Sequence, residues 1–116
     1  MARTRAADFE DKQRAILASA ASVFAELGME KASMAEIAAA SKVSKALLYH
    51  YYPSKDALIF DIVRSHLVAL EEAIKSGDDP SAPPEARLKL AVRQILECYR
   101  DADDKHQVQL AAMSTL

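Results

Sequence analysis

SMAEIAAASKVSKALLYHYYPSK, residues 33–55, decides how the chain is read. Ser33 offers its hydroxyl to the free amides of a helix's first turn, and Glu36 stands three residues on, where a capping box places its acid. Ile37 and Ala38 give this short helix a buried contact. Ser41-Lys42-Val43 interrupts it, and Ser44 opens a second helix as a new N-cap. In the second helix Leu48 and Tyr52 are four apart and point inward, leaving Lys45, Ala46, Leu47, Tyr49, His50 and Tyr51 mostly outside. Two short helices joined by a tight turn, the second with an exposed basic and aromatic face, are what a helix-turn-helix DNA reader requires.

Outward from this unit the pattern stays helical. Ile16, Ala20, Val23, Phe24 and Leu27 recur at helical spacing and predict a first helix from about Asp8 to Leu27, closed by Gly28 at C′. Residues 1–8 read as a flexible arm carrying Arg3 and Arg5, either a tail that touches nothing or an arm that contacts DNA. Pro53 ends the reading unit, because the residue before a proline is pushed out of the helical region. Ser54 then caps a long fourth helix to about Lys75, with Leu58, Ile59, Ile62, His66, Leu67, Leu70 and Ile74 on or beside one face. Residues 76–84 form a loop by composition. A fifth helix is predicted from Pro84 to Asp101 with Leu88, Ala91, Val92, Ile95, Leu96 and Tyr99 on its apolar face, and a sixth from Lys105 onward. The pattern is still helical at Leu116 with no C-cap, so the native protein is expected to continue.

Composition agrees with an all-α chain. Of 116 residues only two are glycine, and alternating β-branched runs are missing. Net charge is −2, which excludes a wholesale basic coat, but the sign is uneven. Lys42, Lys45 and Lys55 share a stretch without an acid, while Asp78, Asp79, Asp101, Asp103 and Asp104 crowd the second half. Local charge decides where a phosphate backbone docks. The single Cys98 can form no internal disulfide and fits a reducing cytoplasm. Neither a secretory h-region nor an apolar run of membrane-spanning length is visible.

No catalytic constellation emerges. His50, His66 and His106 fall on three predicted helices without ligand spacing, Cys98 has no local partner, and there is no glycine-rich phosphate loop. The residues therefore argue against an enzyme and call for no metal or cofactor. His66 reads as a hydrogen-bonded core histidine ahead of a ligand contact. Cys98, Tyr99 and Met113 read as core filler ahead of a cavity lining.

The second helix of the reading unit carries the sharper chemistry. Ser44, Lys45, Ala46 and Leu47 begin it, the part that faces base edges when such a helix enters the major groove. Lys45 can donate to guanine or phosphate, and Ala46 and Leu47 suit a thymine methyl. Tyr49, His50 and Tyr51 suit phosphates and sugars. Lys55 with the amides around it, and Ser33 at the start of the preceding helix, are further anion sites. The competing reading is a helical protein-interaction module using the tyrosine-rich face 49–52, since exposed aromatic surface signals a partner.

Gly28, Ser33, Glu36-Ile37-Ala38, Val43-Ser44-Lys45, Leu48-Tyr49, Tyr52 and Ser54-Lys55, with Leu58 following, resemble the DNA-binding domain of TetR-family transcriptional repressors over Arg14 to Leu58. Lys42 and Ala46 stand where that family often has glycine. A non-glycine residue held at positive φ costs about 1–2 kcal/mol, so some distortion of the turn is expected. The resemblance implies that Ser33, Lys45, Ala46, Leu47, Tyr49, Tyr51 and Lys55 touch DNA. It implies a homodimeric repressor on a near-palindromic operator, released by a small-molecule effector, with the main dimer helices beyond residue 116. The expected organisation is a three-helix DNA-binding domain at 1–53 and a partial regulatory, ligand-binding bundle at 54–116. The fourth helix packs on the first part and links it to the second. The fifth helix is expected to pack on the second half of the fourth and wall part of an effector cavity, with His66 and Tyr99 orienting the ligand. A dense core without a void is the competing outcome.

Overall fold

A computed structural model describes residues 5–101 and 103–115. Six helices run through them: α1 (Arg5–Leu27), α2 (Met34–Ser41), α3 (Lys45–Tyr51), α4 (Lys55–Gly77), α5 (Pro84–Asp101) and α6 (Asp103–Thr115). There is no strand among the described residues.

The boundaries follow from local chemistry. Gly28 at φ 89° closes α1, its amide donating to the Phe24 carbonyl at 2.8 Å. At α2 the capping box is complete. The Glu36 amide donates to Ser33 Oγ at 3.1 Å, and the Ser33 amide and hydroxyl both donate to Glu36 Oε1. The helix ends at Lys42, which is left-handed at φ 58°, ψ 39°. The Lys42 amide donates to Ala39 and the Val43 amide to Ala38, the paired bonds of a Schellman motif. Ser44 Oγ accepts from the Leu47 amide and Ser54 Oγ from the Ala57 amide, capping α3 and α4. Tyr52 is extended before Pro53.

Three expectations about ends are corrected. Arg5 to Asp8 belong to α1 rather than to an arm; Arg5-Ala6-Ala7 are strong helix formers that extend the helix past Asp8. Arg3 lies outside the described residues. Helix α4 runs on to Gly77, and there the chain comes so close to α5 that a Cβ would stand 2.7 Å from the Gln94 side chain. The loop is therefore confined to residues 78–83. Arg87 fastens it, donating Nε to Asp78 Oδ1 and Nη2 to Asp78 Oδ2. Helix α6 starts at Asp103, whose carboxylate and that of Asp104 suit a helix N-terminus.

One core joins most of these elements. Its fully buried large side chains are Ile16 of α1, Ile37 of α2, Leu48 of α3, Leu58 and Ile62 of α4, and Val108 of α6. Helix α6 lies against α1 and α4, with the Ser22 hydroxyl donating to Asp104 at 2.9 Å. Helix α5 packs on α4, as its face predicted, but that face divides. Ala91, Ile95 and Tyr99 are half-buried, whereas Leu88 and Leu96 are 65% and 60% exposed. Leu67 of α4 is also exposed, because α5 and α6 cover the neighbouring His66 side of that helix.

His66 is buried, with no partner for its Nε2 among the described residues. Its ring stacks on Tyr99 at 5.8 Å, and Tyr99 stacks on His106 of α6 at 4.0 Å. Burial first, then the charges of His106 and Lys105, hold the His66 imidazole below the usual histidine range.

Two outcomes follow from this packing. Lys42→Gly relieves a left-handed lysine and is expected to raise stability in urea unfolding by about 1 kcal/mol; a loss would show that the lysine side chain packs on the turn. For His66, the unfolded chain takes up its proton at a higher pH than the folded chain does. Stability should therefore fall as pH drops through the usual histidine value of about 6.5, and a pH series of urea midpoints should be flatter for His66→Leu.

Candidate nucleic-acid interface

Helix α3 is seven residues long and sends Leu48 wholly into the core, with Tyr52 behind it at 4% exposure. These two are the inward pair expected four residues apart. Lys45, Ala46, Tyr49 and His50 are exposed and Leu47 is half-buried, so the first turn and one flank of α3 face outward. Among the described residues no acid lies between Lys42 and Lys55, and neither Lys42 nor Lys45 makes an ion pair. This face offers ammonium, phenol and imidazole donors beside the apolar Ala46 and Leu47. Such a set can meet phosphate oxygens and base edges together.

Three predicted site residues have duties within the fold. Ser33 Oγ is engaged by Glu36 and Ser44 Oγ by the Leu47 amide, so both hydroxyls act first as caps. Lys55 is the larger departure. Its ammonium donates to the carbonyls of Met29 at 2.6 Å, Ala32 at 3.2 Å and Glu30 at 3.3 Å. Three acceptors saturate the three N–H groups of a lysine. Lys55 therefore ties α4 to the link between α1 and α2, instead of standing free as an anion site. Those carbonyls lie more than twenty positions away, and no spacing in the sequence points to them.

Tyr51 is half-buried, its ring stacked on Phe9 of α1 at 4.5 Å, with His50 edge-on at 6.0 Å. The tyrosine-rich face 49–52 thus reduces to Tyr49 and His50 outward, with Tyr51 at the margin and Tyr52 inside. Phe9 went unnoticed in the sequence because it precedes the apolar stripe of its helix. Asp61 was also missed: its Oδ2 accepts the Tyr52 hydroxyl at 2.5 Å, and its Oδ1 accepts Arg64 Nε at 2.8 Å. The structure brings the predicted effector residues His66 and Tyr99 together as neighbours and adds His106 to them. The His106 Nδ1, like the His66 Nε2, is buried without a partner. No helix among the described residues is long and apolar enough to cross a membrane.

Comparison with known proteins bears on this geometry. The family of bacterial regulatory proteins of the tetR type matches residues 16–62, the segment from the core of α1 to the first half of α4. The HTH-type transcriptional regulator RutR of Escherichia coli is 34% identical over 90 residues, which cover 78% of this chain and 42% of RutR. A TetR-like transcriptional regulator from Rhodococcus sp. RHA1 superposes with a TM-score of 0.78 at 30% identity, over 84% of this chain and 54% of that one. The TetR family regulator PfmR of Thermus thermophilus superposes with a TM-score of 0.79 at 28% identity, over 87% of this chain and 55% of PfmR. The chain thus spans about half the length of the relatives it matches. Sequence and three-dimensional course are similar over most of this chain, and the chain belongs to the TetR family of bacterial transcriptional regulators.

Proposed function

We propose that this chain is the DNA-reading end and the first part of the sensing end of a repressor. It binds a near-palindromic operator as a homodimer and leaves it when a small molecule binds. The observation that carries the DNA reading is the exposed, acid-free face of α3, held on a packed core by caps at both of its neighbours. In this reading residues 1–53 and the start of α4 form the DNA-binding part, and residues 54–116 belong to the regulatory part. Two recognition helices meet successive major grooves when they stand about 34–36 Å apart.

Each residue then has a role. Lys45 donates to a guanine or a phosphate, and Ala46 and Leu47 contact thymine methyls. Tyr49, His50 and the rim of Tyr51 meet phosphates and sugars. Ser33 and Ser44 present the amides of the first turns they cap, and at α4 the free amides replace the engaged Lys55 ammonium. The effector binds the regulatory bundle against His66 and Tyr99, whose rings already lie together. It releases the operator only by favouring the spacing of recognition helices that DNA cannot accept.

Lys45→Ala and Tyr49→Phe should weaken binding to a selected operator duplex with the melting temperature unchanged. The lysine change should cost about 1–3 kcal/mol if it reads a base, or lower the salt slope by about one if it meets a phosphate. Binding indifferent to salt would favour a protein partner for this face. With an effector that releases the wild type, His66→Leu and Tyr99→Phe should blunt the response while operator binding without effector stays nearly the same. A normal response from both would place the effector elsewhere.

A further inference from the structure

Helix α3 has one wholly buried side chain, Leu48, near its middle. An apolar contact is non-directional and resists removal of the helix from the core better than it resists rolling of the helix about its own axis. Roll decides which side chains face a groove. Something directional must hold it, and Tyr52 is the residue placed to do so. Its ring fills the core at 4% exposure, at the C-cap of α3 four positions after Leu48. Its hydroxyl leaves the apolar region to donate to Asp61 Oδ2 of α4 at 2.5 Å.

The carboxylate is itself fixed. Arg64, one turn along α4, donates Nε to Asp61 Oδ1 at 2.8 Å and pairs with the same oxygen through Nη2 at 2.7 Å, and the Asp61 side chain is only 14% exposed. Burial first, and the Asp61 bond second, hold the phenol well above its usual range, so it remains a protonated donor at any working pH. A charge-assisted bond onto an immobilised acceptor is both strong and directional.

We propose that Asp61, acting through Tyr52, is a positioning residue for DNA recognition that sets the roll of α3 against α4. A phenylalanine at 52 would fill the same space without the bond, so packing alone does not call for the hydroxyl. Neither residue belongs to the exposed face of α3, and both act at the end of the helix away from its first turn. Because α4 also packs on α5 and α6, the clasp is the hydrogen-bonded route by which a displacement of α4 reaches α3. This inference rests on α3 being the DNA-reading helix.

The test takes a duplex selected from a randomised pool by the wild-type protein and an unrelated duplex of equal length. Tyr52→Phe and Asp61→Asn should each lose about tenfold or more on the selected duplex and less than about twofold on the unrelated one. The double variant should be no worse than the poorer single variant by more than about twofold, since both changes break one bond. Amide exchange in the free protein should quicken over residues 48–52 and stay unchanged over residues 37–41. Equal losses on both duplexes, additive losses in the double variant, or unchanged binding to the selected duplex would overturn the proposal. If the wild type selects no duplex, the DNA reading itself fails, and the exchange measurement alone judges the clasp: unchanged exchange over residues 48–52 overturns it.

Discussion

A helix of seven residues, about 10 Å long, is too short to persist in water on its own. Helix α3 exists because Leu48 is buried against the core, and a buried leucine is worth about 2–5 kcal/mol when truncated to alanine. Everything that makes the face of α3 usable depends on that anchorage. Only two inward positions are available in so short a helix if the rest is to face a partner. The chain uses Leu48 within the helix and Tyr52 at its C-cap, then supplements them with Tyr51 against Phe9. The turn before α3 carries the complementary cost. Lys42 sits left-handed without glycine's freedom, and the paired Schellman bonds and the partly buried Val43 hold it there.

The core that receives Leu48 is not closed by α1, α2 and α3 alone. Leu58 and Ile62 of α4 and Val108 of α6 complete it, and the Ser22–Asp104 bond adds a polar tie between α1 and α6. The helix-turn-helix unit and the later helices therefore share buried surface instead of meeting across a linker. Close-packed interiors transmit displacement because they cannot absorb it. The aromatic group of His66, Tyr99 and His106 lies where α4, α5 and α6 converge, one turn along α4 from Ile62. Two of its ring nitrogens are buried without partners, which leaves that junction less settled than the apolar core beside it.

What could be read from the sequence was what is decided within a few residues. The capping box of Ser33 and Glu36, the Ser44 and Ser54 caps, the Gly28 terminus, the stop before Pro53 and the inward pair Leu48 and Tyr52 all stand where their residue types put them. Left-handed geometry at Lys42 was signalled only by the resemblance, since that family often has glycine there. Contacts between distant positions were not legible. The Lys55 ammonium finds carbonyls on another link, Tyr51 finds Phe9, Tyr52 finds Asp61, and Tyr99 reaches His106. Each depends on how helices cross, and periodicity carries no record of crossing. The apolar face of α5 shows the same limit. Periodicity marked Leu88 and Leu96 as apolar but could not say which apolar positions α4 would cover.

Charge placement makes the same point from the side of function. A net charge of −2 leaves no general attraction to a polyanion, so any attraction to one would have to come from a local field. The fold concentrates that field by what it does with its cations. Lys55 is drawn inward to serve three carbonyls, and Arg64 and Arg87 are matched to Asp61 and Asp78. Lys42 and Lys45 stay unpaired on either side of the Ser44 cap. Two uncommitted ammonium groups beside a short helix give less attraction than a basic patch would, and contacts at that distance are screened within about 8 Å at physiological salt. On the proposed DNA reading, weak general attraction leaves more of the recognition to the shape of the α3 face. For this chain the side chains that hold α3 therefore shape its outward face as much as those exposed on it.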